Sequence, residues 1–507
     1  MKCKRFASPI KPNVFVTVAL FSLTAGFSLA PIAKEKAPEI RRAAIPEHAI
    51  EHILVIDLEN EDFNSTFGAN SPAVYLNANL LKQGQLVINY FATSHVSAGN
   101  YIAQISGQGT TPALNNDCLD LATLSHPPLL GSFTNVVPGN DASEQSRFPG
   151  QVEGDGCVFP APSQTSHGAR TIGEQLDALY NTAKHKRETY DRTNRYTWRA
   201  YMEDMGDDIT RDYGTADALG GASCAHPPIG GIDFSNSATV NDQYATRHNP
   251  FMYFHSVIDN QARCNSHVVP LGKLTVGRNG QADGFTGHLF NDLRRIKTTP
   301  KFMFVTPNLC NDGHDATCVA ANVEATKDAN GKNQGGLVAA DLWLKHWMPM
   351  ILASPAYQSG KMLVVLTFDE SGLRDSRACN QANQADCHSP VGPNVSNPGF
   401  SPVLALFGLQ TTPTEPYTYA GGGQVGAVLL NKRYIKPGTV NTTGNYNHYS
   451  ALRSYEDILG LTQGGDDGAG HLGYAAMPNL APFGTDVFSQ QKTNSQHQGD
   501  DEFQNDD

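Results

Sequence analysis

No C-x-x-C pair occurs anywhere in the 507 residues, which removes the zinc-binding modules built on that spacing. Past residue 30 no stretch is apolar enough to cross a bilayer, so a multi-span membrane protein is excluded. There is no internal repeat, and with it no solenoid or repeat array. Basic residues are scarce as well: 37 Lys and Arg stand against 49 Asp and Glu, a net charge of −12. That balance lacks the basic face that broad nucleic-acid binding requires, and no nucleic-acid partner is expected. Small phosphorylated substrates remain admissible, because a bound metal ion can invert the local field.

What is present begins with a basic start. Lys2, Lys4, Arg5 and Lys11 precede an apolar run from Val14 to Leu29 that closes on Ser28, Leu29 and Ala30. This pattern predicts a secretory signal peptide over 1–30. Thr17, Ser22, Thr24 and Gly26 interrupt the run and make it a poor permanent span, although an uncleaved anchor is the alternative. The mature protein is therefore expected to be exported, either periplasmic or secreted, with no stable membrane span. Cys3 leaves with the leader, and Cys118, Cys157, Cys224, Cys264, Cys310, Cys318, Cys379 and Cys387 remain. An even set in an exported chain suggests disulfides. Sequential pairing, Cys118–Cys157, Cys224–Cys264, Cys310–Cys318 and Cys379–Cys387, is one choice among about 105 connectivities.

Residues 31–49 read as a linker, 50–489 as the catalytic domain, and 490–507 as a polar, acidic, disordered tail. Within the domain, hydrophobic residues, 40% of the chain, suffice for a large core. His52–Leu58, Phe302–Thr306, Met362–Phe368 and Pro402–Phe407 are short continuous apolar runs, the pattern of buried parallel strands. Between them lie helical patterns: Ile172–Tyr180 behind a Thr171 and Glu174 capping box, Gly335–Leu352, and Tyr449–Leu459. Strands alternating with helices predict an α/β/α sandwich with a mostly parallel central sheet. The stretch 108–300 is rich in Gly, Pro, Asn and Asp, and reads as long loop-rich insertions crowning one sheet edge.

Sites in such sheets form beyond the carboxyl ends of strands. Two predicted strands end in acidic pairs, Asp57-Leu-Glu59-Asn60 and Asp369-Glu370. Carboxylate and amide oxygens there suit a divalent cation, although either pair alone reads equally as a solvated loop. Ser97 stands where a helix can begin, with Ile102, Ala103 and Ile105 as its apolar face. A hydroxyl there has backbone N–H groups and the positive helix end beside it, which favours an ionised nucleophile and the phosphate it would carry. Taken alone, Ser97 reads as an N-cap. His314 lies in Asn308-Leu-Cys-Asn311-Asp312-Gly-His314, His448 precedes the last helix, and His248 opens His248-Asn249-Pro250. Each alone reads as an ordinary hydrogen-bonded histidine.

Together these segments carry a resemblance. HILVIDLENEDFNSTFG, SHVSAGNYIAQISG, TIGEQLDA with WRAYMEDM, HNPFMYF, TPNLCNDGHD, LVVLTFDESG and HYSALRSYEDILGL resemble, in that order, a bacterial phosphoesterase family. It contains respiratory-burst-inhibiting acid phosphatases, secreted phosphatidylinositol phosphatases and phospholipases C, and belongs to the alkaline-phosphatase superfamily. The resemblance implies an alkaline-phosphatase-like fold. It implies Ser97 as the nucleophile, opening a helix that ends at Gly107, with Asn100 and His248 binding substrate. Glu59, Asn60, Asp369 and Glu370 would be metal ligands, and His314 and His448 would complete the catalytic set. Glu59-Asn60 and Glu370 depart from the richer Asp and His ligand set of two-zinc relatives. The divalent metal is accordingly left open among Ca, Mg, Mn and Zn.

The mechanism this implies is in-line displacement by Ser97 through a phosphoserine. Asn100 and helix-start amides would hold the equatorial oxygens, and His314 or His448 would serve the leaving oxygen. The function expected is an exported, metal-dependent phosphomonoesterase, acid phosphatase-like, acting on a small-molecule or lipid phosphoester such as a phosphoinositide. The nearer alternative is a phospholipase C-type phosphodiesterase. Discrimination would rest on a basic group from the insertions, with Arg199, Arg247 and Arg263 as candidates. The distant alternative is a non-catalytic, calcium-stabilised binding protein. Sequence leaves the oligomeric state open.

Overall fold

The computed structural model describes residues 45–489 apart from 47, 95, 121–129, 139–149, 163–167, 187–195, 315–317, 319–326, 329 and 373–421, and side chains at 181–186 are not described. The chain divides into units 1–40 and 41–507, and the first lies outside the described residues. The expected leader, most of the linker, the Pro402–Phe407 strand, the Cys379–Cys387 pair and the tail fall outside them too.

Eight strands form the central sheet. In chain order they are β1 (His52–Leu58), β2 (Gln85–Val87), β3 (Trp198–Met202), β4 (Val268–Pro270), β5 (Phe302–Thr306), β6 (Met362–Phe368), β7 (Ala427–Leu430) and β8 (Thr439–Asn441). Across the sheet the order is β4-β3-β5-β1-β6-β7-β2-β8. β1 is central and parallel to both neighbours, with Ile53 beside Phe302 on one flank and Leu363 on the other. β7 pairs antiparallel with β6 and β2, and the remaining ladders are parallel. Every residue of β1, β5 and β6 is buried, so both faces of the sheet's centre are covered, as their unbroken apolar runs require.

Four longer helices pack around the sheet: α1 (Ser97–Ser106), α2 (Ile172–Lys186), α3 (Gly336–Ala353) and α4 (His448–Leu459). The α2 capping box forms as read. The Thr171 N–H donates to Glu174 Oε2 at 3.0 Å, and the Glu174 N–H donates to Thr171 Oγ1 at 3.4 Å. α1 ends at Gly107, whose φ of 68° is left-handed. A Cβ there would lie 2.2 Å from the Leu472 carbonyl oxygen, so both backbone and packing demand glycine.

The 108–300 stretch is more than a set of edge loops, which corrects the sequence reading. It supplies β3 and β4, one whole edge of the sheet. Trp-Arg-Ala-Tyr-Met did not read as an apolar run because Arg199 stands in it. That guanidinium is neutralised inside the protein, by Asp292 Oδ2 at 2.8 Å and the Ser266 carbonyl at 2.9 Å. Three of the expected disulfides are present: Cys118–Cys157, Cys224–Cys264 and Cys310–Cys318. No helix among the described residues is long and apolar enough to cross a membrane.

Candidate active site

Glu59, Asn308–His314 and Asp369 follow β1, β5 and β6 at their carboxyl ends, and α1 delivers Ser97 to the same place. Ser97 does not cap the helix. The N-cap is Val96, which makes no side-chain capping bond, and the Ser97 hydroxyl instead donates to Glu59 Oε1 at 2.6 Å. The helix is held in register by its own polar stripe. Ser97, Tyr101 and Gln104 fall at successive turns. Gln104 Nε2 reaches Asp57 Oδ2 at 2.5 Å, while Ser97 reaches Glu59, two residues further along β1 and on the same side of the strand.

Glu59 is the hub and is 1% exposed. His248 Nε2 lies 2.5 Å from its Oε1, and His314 Nδ1 lies 3.3 Å from its Oε2. Burial alone would raise this carboxyl. His248 first, then His314 and Arg247, outweigh it and hold Glu59 well below the usual carboxylate range. Tyr101 stacks on the His248 ring, centroids 5.0 Å apart, and keeps it aimed.

Asp369 and Glu370 go the other way. Burial, then Glu59, Glu370 and Asp57, push Asp369 well above its ordinary value. Burial, then Asp117 and Glu59, raise Glu370. Asp369 Oδ1 accepts the N–H groups of Asn60 at 2.9 Å and Glu370 at 2.6 Å. Its buried Oδ2 has no hydrogen-bond partner among the described residues. Asn60 makes its turn at φ 48°, and its side-chain amide lies 3.1 Å from His314 Nδ1. Glu59, His248 and Asp312 bring one ligand atom each within 4.8 Å of one another, all three buried. A crowded set of buried carboxylates, an imidazole and an orphaned carboxylate oxygen fits a hard or borderline divalent cation.

The structure revises several expected roles. Asn100 is fully employed: its Oδ1 accepts from the N–H groups of Thr93 and Ser94, both at 2.9 Å, and its Nδ2 donates to the Ser94 carbonyl at 2.7 Å. Nδ2 also reaches the Val96 carbonyl oxygen at 3.3 Å, so in this structure the side chain is taken up by the segment that leads into Ser97. His448 is fully buried, with Nε2 2.6 Å from the Asp369 carbonyl oxygen and Nδ1 3.1 Å from the Tyr90 hydroxyl. Burial lowers it to about 4. It is therefore a neutral, fully buried imidazole that braces the Asp369 backbone. His314 differs, since its side chain is 50% exposed. His248, expected to bind substrate, instead joins Glu59 and Asp312.

Among the candidate cations, Arg199 is taken by Asp292 and Arg263 by Asp177, with its Nη2 2.7 Å from the carboxylate. Arg247 reaches the site, with Nε 3.6 Å from Asp117 Oδ2. Two residues that the structure brings to the candidate site were missed in the sequence. Asp312 was findable by the rule that picked Asp369, an acid soon after a buried strand. Asp117 lies in the insertions beside Cys118, with no local signal, and its Oδ1 accepts the Ala98 N–H at 2.8 Å.

The model of the Phosphoesterase family matches residues 70–462. An acid phosphatase of Aspergillus fumigatus is 23% identical over 372 residues, which is 72% of this chain and 56% of that one. A phosphate-repressible acid phosphatase of Penicillium chrysogenum is 25% identical over 325 residues, 64% of this chain and 48% of that one. The chain thus spans about half the length of the curated relatives it matches. Among solved structures, an alkaline phosphatase superfamily protein from Vibrio parahaemolyticus aligns over 83% of this chain and 71% of that one, at 11% identity and a TM-score of 0.36. A sulfatase from Pseudoalteromonas aligns over 87% and 74%, at 10% identity and a TM-score of 0.39.

Proposed function

Since the chain belongs to the Phosphoesterase family, we propose that it is an exported phosphomonoesterase working through Ser97, with a divalent cation as cofactor. The observation that carries this reading is the Ser97 hydroxyl at 2.6 Å from a buried, ionised Glu59. Glu59, His248, Asp312, Asp369 and Glu370 would hold the cation, with Asn60 at the rim. When bound, that ion supplies positive charge against the phosphoryl oxygens and favours ionisation of Ser97.

The chain's own groups account for the proton movements. Ser97 Oγ attacks phosphorus as its proton passes to Glu59 Oε1, and the bond from phosphorus to the leaving oxygen breaks. When protonated, His314 can donate from Nδ1 to Glu59 Oε2, which leaves its Nε2–H on the exposed edge to protonate the departing alkoxide. Water then attacks the phosphoserine, giving its proton back to His314, and Glu59 returns the serine proton. Asn100 and His448 keep the turn before Ser97 and the Asp369 backbone in place, so positioning comes from groups that never touch substrate. Three disulfides among the described residues support export, since such bonds persist in oxidising compartments.

The deciding experiment is hydrolysis of a chromogenic aryl phosphate monoester beside the matching choline diester, with and without chelator. Monoester turnover should be chelator-sensitive and fall at least about a thousandfold in Ser97→Ala. The same variant should lose no more than about 1–2 kcal/mol of stability, the worth of one hydrogen bond. Diester turnover alone would transfer the assignment to a phospholipase C-type enzyme. Silence on both, with calcium-dependent heat stability, would favour a binding protein.

A further inference from the structure

The amide next to the nucleophile is already occupied by an anion from the protein itself. Ala98 N–H, the first amide after Ser97 and the place where a helix start would grip a phosphoryl oxygen, donates to Asp117 Oδ1 at 2.8 Å. The other oxygen of that carboxylate faces Arg247 Nε at 3.6 Å. We infer that Asp117 is a built-in surrogate for the phosphoryl group: it occupies the Ala98 amide and the Arg247 guanidinium, two donors that a phosphate monoester takes over when it binds. This rests on the phosphomonoesterase reading of the same site.

The placement of Asp117 is unlike that of an ordinary ion pair. Its backbone is left-handed, with φ 55°, a conformation uncommon outside glycine but one that Asp adopts more readily than most residues. The preceding turn, Leu114–Asn116, and the following Cys118–Cys157 disulfide hold it there. Burial raises this carboxyl above its ordinary value, Arg247 and the Ala98 N–H oppose that, and Glu59 adds to it. The Ala98 N–H and the Arg247 guanidinium are what hold the carboxylate in place, and an incoming dianion competes for the same two donors. Arg247 is anchored independently, its Nη1 donating to the Asn236 carbonyl at 3.0 Å, so it stays at the site when its partner changes. A monoester dianion carries the charge and spare oxygens to engage both donors. A diester carries one charge fewer and a second substituent where Asp117 stands, so the pair favours monoesters.

The test separates this surrogate role from a positioning role and from a general field effect. Binding of inorganic phosphate is measured by titration calorimetry on the purified chain in the Ser97→Ala background, which removes turnover from the readout. Asp117→Asn should tighten phosphate by on the order of tenfold, because one competing charged acceptor is gone. A second substitution, Arg247→Gln, should cancel most of that gain, because the released guanidinium is its source. Unchanged or weaker binding in Asp117→Asn would make Asp117 a positioning residue and overturn the inference. A gain that survives Arg247→Gln would reduce it to loss of a distant negative charge, and overturn it equally. Asp117→Ser, with unfolding midpoints for each variant, guards against a folding artefact. If the parent chain hydrolyses no phosphate monoester, the phosphomonoesterase reading has failed and takes this one with it. If hydrolysis is present and the tightening absent, only the surrogate fails.

Discussion

His52 and Glu59 sit at opposite ends of β1 and show how far burial controls charge in this protein. His52 is 1% exposed, and its Nδ1 lies 3.0 Å from the Pro300 carbonyl oxygen. Burial, and then Lys301, lower it from 6.5 to about 4. Its folded-state value is the lower one, so between about pH 6.5 and 4 the unfolded chain takes up a proton that the native chain refuses. Stability associated with this residue is complete above pH 6.5 and declines as the solution is acidified towards 4. His52→Gln should flatten that limb by on the order of 2–3 kcal/mol at pH 4.5, seen as a smaller fall in melting temperature between pH 7 and 4.5. Activity at pH 7 should be unaffected, since the residue is remote from Ser97. An unchanged acid limb would show that other groups dominate it. At this scale the sequence was most legible where chemistry and chain order coincide. Ser97, Glu59, His314 and Asp369 each sit at the end of an apolar run or the start of a helix. Asp117 and the employment of Asn100 were illegible, because both depend on where a loop folds back in space.

Helix α1 shows what an element contributes beyond its residues. It must come close to the loop behind it: a Cβ on Gly99 would lie 2.3 Å from Thr110 Cγ2 and 2.7 Å from Ser94 Oγ. Gly99→Ala therefore forces the 93–96 turn or Thr110 to give way, and that turn aims Ser97. Turnover should fall about tenfold or more, as misplacement of a nucleophile by a fraction of an ångström does. Stability should drop by only about 1–3 kcal/mol, typical of overpacking. Equal activity with a large stability loss would show that Thr110 yields instead. Element identities could be read well here. β5 and β6 run over the residues their apolar patterns marked, and α2 starts at its capping box. β3 and β4 escaped notice, the first because Arg199 breaks its pattern, the second because Val268–Pro270 is too short to show one.

For the whole molecule, the disulfides separate stability from activity. Cys118–Cys157 and Cys224–Cys264 span 39 and 40 residues, and each should stabilise by about 4 kcal/mol through loop closure. Cys310–Cys318 spans 8 and should contribute less, about 2–3 kcal/mol. Yet the short bridge straddles Asn311, Asp312 and His314. Replacing that pair by alanine should affect turnover more than stability, replacing Cys224–Cys264 should do the reverse, and loss of Cys118–Cys157 should touch both because that bridge also fixes Asp117. Calorimetry and rate measurements on the three double variants would decide it. A ranking of activity losses that simply follows the melting temperatures would remove any special role for the short bridge.

The stretch 108–300 adds an edge to the sheet and also sends Asp117, Arg247 and His248 back into the pocket, while Ser97, Glu59 and Asp369 lie outside it. On the proposed reading the bond-breaking groups come from both passages, His248 included, while the Asp117 and Arg247 pair comes from the insertion alone. A change confined to residues 108–300 would therefore alter the surroundings of the bound phosphoester while leaving Ser97, Glu59 and Asp369 as they are.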